Sequence, residues 1–215
     1  MGPRWGCLTQ DRPTRFIVAW SFGPSENAAA PRVVAQTRTR TANRAGVPWV
    51  SDGRDAYRQA IQRVYRDPVR SGRRGRPPLR PTSGVGLVQA VKHRRGRRLV
   101  RVAVRVVQGA PMDCPYTVHV ERLNGVLRDR LACLTRKTHA FAKASSAWDA
   151  AVTLALFEHN WLRAHPALRQ RLPEPIAPGA RCYQHRSPAM AMGLADHIWT
   201  WAEFLTHPVY PYPKG

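Results

Sequence analysis

The stretch "VPWVSDGRDAYRQAIQRVYR" (47–66) decides the fold class. Its first residues read as a short buried strand that runs into Ser51-Asp52-Gly53. The period then changes. Ala56, Ala60, Ile61, Val64 and Tyr65 recur at helical spacing, so 55–66 reads as an amphipathic helix. A strand passing through a tight turn into a helix is a building unit of α/β domains. Working back from it, "RFIVAWSF" (15–22) is rich in aromatic and β-branched residues and reads as another strand, stopped by Gly23-Pro24. Ser25 suits a helix N-cap and Glu26 a first turn, so a helix is expected over 25–44, with Pro31 its weak point and Gly46 its end.

Working forward, 67–84 has Pro and Gly throughout and five Arg, which predicts a basic linker with no regular element. A hairpin is expected over 85–107, with "LVQAV" pairing through the turn "RRGRR". Val100, Val102, Val104 and Val106 alternate with polar or small residues, as in a half-buried strand. In 117–134, Val120, Leu123, Leu127, Leu131 and Leu134 form one helical stripe, and Glu121, Asn124 and Arg128 form a neighbouring one. Ser146 and Asp149 have the form of a capping box. They open a helix that is apolar nearly all round and therefore expected to be buried. A last short helix carries Trp199, Trp201 and Phe204. The divisions are 1–66, the linker 67–84, the hairpin 85–107, a helical part 108–205 and a tail 206–215.

The charge balance narrows the partners. The chain of 215 residues has 35 Lys and Arg against 13 Asp and Glu, a formal net charge of +22. A charge of this size opposes compaction and is relieved by an anionic partner. Nucleic acid comes first, since neutralising phosphates releases counterions. Cys7, Cys114, Cys133 and Cys182 are scattered, without zinc-finger spacing, and read as reduced thiols of an intracellular protein. No apolar run approaches the roughly 18 residues of a membrane span, and the first residues have no signal-peptide core. The expectation is a cytoplasmic, nucleoid-associated prokaryotic protein.

Two carboxylates stand out in so basic a chain. Asp52 ends a buried strand, where α/β sheets gather their active sites, although it could equally cap the following helix. Glu121 lies in the first turn of a packed helix, where it could complement the helix dipole or hold a metal. Hard divalent ions take oxygen ligands, and two such ions about 4 Å apart serve phosphoryl transfer. A site of that kind normally needs a third carboxylate.

The segments "PWVSDGRDAYRQAI" (48–61), "VHVERLNGVLRDRLACLTRKTHAFAKASSAWDAAVTLALFEHNWLR" (118–163) and "RSPAMAMGLADHIWTWAEF" (186–204) together resemble the catalytic domain of DDE-type insertion-sequence transposases, of the type called insertion sequence one. The likeness runs from about residue 5 to residue 205. It implies a ribonuclease H-like fold: a mixed sheet flanked by helices, here lacking its first central strand and carrying the basic linker and hairpin as insertions. It also implies DNA cleavage and strand transfer by two Mg²⁺ (or Mn²⁺) ions, with Asp52 and Glu121 as catalytic metal ligands and Asn124 and Arg128 on DNA. The family's first Asp has no counterpart, since Asp11 matches a hairpin turn. The resemblance therefore points to a partial form, with element ends and target DNA as partners and a homo-oligomer as the working state. The alternative is a non-enzymatic basic nucleic-acid-binding protein.

DNA contacts are also expected from two basic arms. Arg73, Arg74 and Arg76 lie in the linker. Arg74-Gly75-Arg76-Pro77 is similar to the core of an AT-hook, which enters a narrow A·T minor groove, but it could instead be a linker touching phosphates. Lys92, Arg94, Arg95, Arg97 and Arg98 crowd the hairpin tip, where phosphate contacts are expected.

Overall fold

The structure is a computed structural model, and it describes residues 5–42, 46–70, 72, 74–135, 139, 144–175 and 182–207. The chain is mixed α/β and divides into two compact units, Met1–Gln10 with Val18–Val126, and Asp11–Ile17 with Leu127–Gly215.

In the first unit, strands β1 (Trp5–Gln10) and β2 (Ile17–Gly23) form a two-stranded sheet. Helix α1 (Glu26–Arg40) begins at the expected cap: Ser25 Oγ accepts the Ala28 N–H at 3.2 Å. Pro31 is accommodated inside the helix, which costs one backbone hydrogen bond but does not stop it. Strand β3 (Pro48–Asp52) leads through Gly53 and Arg54 into α2 (Asp55–Val64), as the opening stretch predicts. Ala29, Ala30, Val33 and Val34 of α1 meet Ala56, Ala60 and Ile61 of α2, with Cys7, Ala19, Trp49, Tyr65 and Leu87, in one core.

The linker departs from expectation. Residues 67–84 are not wholly irregular, because β4 (Arg66–Pro68) and β5 (Leu79–Pro81) form a short antiparallel ladder at its base. Arg38 of α1 clamps the ladder: its guanidinium donates to Val64 O, Arg66 O and Asp67 Oδ1. Both prolines sit at the ends of this short edge pair, where a missing N–H is tolerated.

Strands β6 (Gly86–Arg95) and β7 (Arg98–Gln108) form the expected hairpin, turning at Gly96-Arg97 with Gly96 at φ 61°. The sheet order is β3-β6-β7, with β3 parallel and β7 antiparallel to β6. The valine alternation of β7 does not produce the half-buried strand expected. Val100, Val104 and Val106 are 63%, 51% and 42% exposed, and register shifts interrupt the ladder between Leu87 and Val88 and between His93 and Arg94. In helix α3 (Val118–Arg130) Leu123 and Leu127 are buried, and the helix ends at Arg130 rather than at residue 134.

In the second unit, the turn 11–16 is closed by Asp11, whose Oδ2 accepts the Thr14 N–H at 3.0 Å. Helix α4 (Ser145–Phe157) starts one residue before Ser146, with Ala144 at the cap and no side-chain bond there, so the expected capping box does not form. Nor is α4 buried all round: Trp148, Val152, Ala155 and Leu156 are buried, but Leu154 and Phe157 are exposed. It continues into a π-helical turn, Glu158–Leu162. Short strands β8 (Gln170–Arg171) and β9 (Tyr183–Gln184) pair, and α5 (Pro188–Met192) and α6 (Trp201–Thr206) follow. Among the described residues no helix is long and apolar enough to cross a membrane.

Candidate nucleic-acid interface

Asp52 and Glu121 both belong to the carboxyl end of the β3–β6 pair. Asp52 is the last residue of β3 and lies opposite Ala90 of β6. Two residues further along β6, roughly 7 Å at about 3.4 Å per residue, Lys92 forms an ion pair with Glu121. The strand–turn–helix supplies one acid and α3 the other.

Neither acid is idle. Asp52 Oδ1 accepts the Arg54 N–H at 3.2 Å, and its Oδ2 lies 3.9 Å from Arg54 Nε. This bond closes the turn ahead of α2 and is not the helix cap weighed for it in the sequence, since the N-cap is Arg54 and no side chain caps the helix. Gln89, buried beneath the turn, donates to Asp52 O at 3.1 Å and to Arg54 O at 3.2 Å, and so fixes the turn. Glu121 Oε1 accepts from Lys92 and, at 2.6 Å, from Thr117 Oγ1. These bonds, Lys92 first and Thr117 next, hold its pKa below the ordinary carboxylate value, and the charge of Arg94 adds to the effect.

These residues do not fit a two-metal cage. Each carboxylate already holds a cation of the protein, and among the described residues no three His, Cys, Asp or Glu side chains are grouped so as to hold a metal ion. Asn124 is half-buried on α3, one turn beyond Glu121. Arg128 is exposed and belongs to the second unit.

The basic arms are open to solvent. Arg74 and Arg76 are exposed, and Gly75 between them has φ +123°, a conformation that L side chains rarely adopt. Arg73 lies outside the described residues. On the hairpin, Arg94, Arg95, Arg97, Arg98 and Arg101 are all exposed. Arg94 Nη1 donates to Arg97 O at 3.3 Å across the turn. Among the described residues, none of these five arginines is in an ion pair, whereas Lys92 at the ribbon's root is tied to Glu121.

Sequence reasoning did not single out Arg101, although its spacing from Arg98 and Arg105 along β7 was readable. It also gave no individual role to Asn160. That residue is buried in the second unit, and its side chain exchanges two hydrogen bonds with the backbone of Ile17, at 2.9 Å and 3.0 Å. His159 and His165 bond to the backbone near them in space or in sequence: His159 Nε2 lies 3.1 Å from Arg15 O, and His165 Nδ1 accepts the Ala167 N–H. Trp161 lies edge-on to Phe16, ring centroids 6.3 Å apart, and tilted against Trp199 at 4.7 Å.

The chain matches no family model, no curated protein and no solved structure.

Proposed function

We propose that this chain is a duplex-DNA-binding protein of the transposase kind, with a ribonuclease H-like first unit that presents DNA to the carboxyl end of its sheet. The observation that carries the reading is the β6–β7 hairpin. It extends five arginines that form no ion pair among the described residues, and its strand β6 carries Lys92, the partner of Glu121, and lies next to the strand that ends in Asp52. In this reading Asp52 and Glu121 are the acids that the resemblance assigns to metal. In the structure they pair with Arg54 and Lys92. DNA binding requires only the basic arms and is the activity expected of the chain as it stands. The ion pairs at both acids also favour the non-enzymatic version of this reading.

The test is fluorescence anisotropy with a labelled duplex over a salt series, run beside a supercoiled-plasmid nicking assay in Mg²⁺ and in Mn²⁺. Six phosphate contacts predict a log–log salt slope of about −5. A dissociation constant independent of salt would refute the basic arms as the binding surface. Metal-dependent nicking that Glu121→Gln abolishes would overturn the non-enzymatic version and restore the two-metal one.

A further inference from the structure

The β6–β7 hairpin has a shape as well as a charge. Strand β3 ends opposite Ala90, and beyond that point β6 and β7 continue alone. The free part contains the pairs Val91↔Ala103, Lys92↔Val102, His93↔Arg101, Arg94↔Leu99 and Arg95↔Arg98. At about 3.4 Å per residue this two-stranded ribbon is roughly 17 Å long, with strands about 4.8 Å apart. The major groove of B-form DNA is about 12 Å wide and about 8.5 Å deep, and it admits a two-stranded β-ribbon. The deep, narrow major groove of A-form RNA does not.

The faces of the ribbon differ. Alternation along β6 puts His93 and Arg95 on one face and Lys92 and Arg94 on the other; the pairing places Arg101 and Arg98 beside the first two and Leu99 beside Arg94, because the register shift leaves Val100 out of the ladder and so brings Arg98 and Arg101 to the same side. On the second face, Lys92 is held by Glu121 of α3, and Arg94 is bonded back across the turn to Arg97 O. The first face has no such restraint among the described residues: Arg95, Arg98 and Arg101 make no ion pair and are exposed. The pairs His93↔Arg101 and Arg95↔Arg98 are two residues apart along β6, about 7 Å, which matches two base-pair steps of about 3.4 Å each. The register shift between His93 and Arg94 adds local twist, as a ribbon following a helical groove requires.

We infer that the β6–β7 tip lies in the major groove of B-form DNA with Arg95, Arg98 and Arg101 against base edges, and reads guanine through its N7 and O6 acceptors. The inference rests on the DNA-binding reading above and goes beyond it, because phosphate contact alone carries no sequence information. An Arg–guanine bidentate contact discriminates by at least about fivefold.

The experiment compares two duplexes of one G-rich sequence at fixed salt, one natural and one with every guanine replaced by 7-deazaguanine, which removes the N7 acceptor and leaves the phosphates intact. The natural duplex should bind about fivefold or more tightly, and an RNA duplex of the same sequence should bind more weakly than either. The triple variant Arg95→Ala/Arg98→Ala/Arg101→Ala, checked for folding by circular dichroism, should bind the two DNA duplexes equally. Equal affinity of the unsubstituted protein for natural and 7-deaza DNA overturns the groove assignment while leaving DNA binding in place, and so does RNA binding as tight as DNA binding. Failure to bind any duplex at low salt overturns the DNA-binding reading itself, and the groove assignment falls with it.

Discussion

Replacing Asn160 with Ala should cost more stability than any surface change in the molecule. Asn160 is 6% exposed, and its Oδ1 and Nδ2 satisfy the N–H and C=O of Ile17, a residue itself only 4% exposed. The side chain thus stands in for a neighbouring strand at the start of β2. Alanine leaves one buried donor and one buried acceptor without a partner. At about 1–3 kcal/mol for each of the two orphaned groups, the loss is about 2–6 kcal/mol, against a whole-domain stability of about 5–15 kcal/mol. With a urea m-value of about 2 kcal/mol/M, the midpoint should fall by about 1–3 M. Trp161, edge-on to Phe16 at 6.3 Å, provides fluorescence as a local reporter. A midpoint within about 0.3 M of the parent protein would refute the argument, because the Ile17 backbone would then have found other partners.

Three further outcomes are expected. Arg74→Ala with Arg76→Ala should weaken binding to A·T-rich duplexes more than to G·C-rich ones if 74–77 enters a minor groove, while equal loss in anisotropy titrations leaves only phosphate contact. Glu121→Gln releases Lys92 from its partner and removes a negative charge near the ribbon, so DNA affinity at low salt should rise about two- to fivefold; unchanged affinity would show that the ribbon's root takes no part. Burial holds the His159 pKa below its ordinary value of 6.5, despite the bond to Arg15 O. Because the folded-state pKa is the lower one, the contribution to stability is complete above the unfolded value and is lost as pH falls below it. Thermal melting between pH 7.5 and pH 5 should therefore show a decline that His159→Gln flattens.

What the sequence revealed about the fold was local in origin. The Ser25 cap, the β3–α2 unit and the tight turn at Gly96 each depend on residues a few positions apart, and each formed where its pattern predicted. The features that escaped depend on distant partners. The β4–β5 ladder within a Pro-rich stretch depends on the reach of Arg38 from another helix. Val100 lies where the hairpin extends beyond β3, whereas Val104 and Val106, opposite Ala90 and Val88, are exposed on the edge strand β7, and alternation encodes neither position. Ser146 and Asp149 had the form of a cap, but the helix starts at Ser145. For the site, composition alone made Asp52 and Glu121 conspicuous. The contact of Asp52 with Arg54 is local, but the pairing of Glu121 with Lys92 was not legible, since Lys92 lies 29 positions away and only the placing of α3 beside β6 brings them together.

The parallel pairing of β3 with β6 also has a consequence for synthesis on the ribosome. Hairpin β6–β7 closes through a two-residue turn, and such hairpins form in about 1–10 μs. Strand β3, by contrast, can dock only on a strand that begins at Gly86. At about 5–20 residues per second, the interval between completing β3 and supplying β6 is about 2–9 s. Through that interval Trp49, buried in the finished protein, remains uncovered by Leu87 on a nascent chain. The hairpin is then the template that ends this exposure, so slowing its closure, for example by Gly96→Val at a φ that valine resists, would lengthen the interval and lower the yield of soluble protein at 37 °C more than at 18 °C.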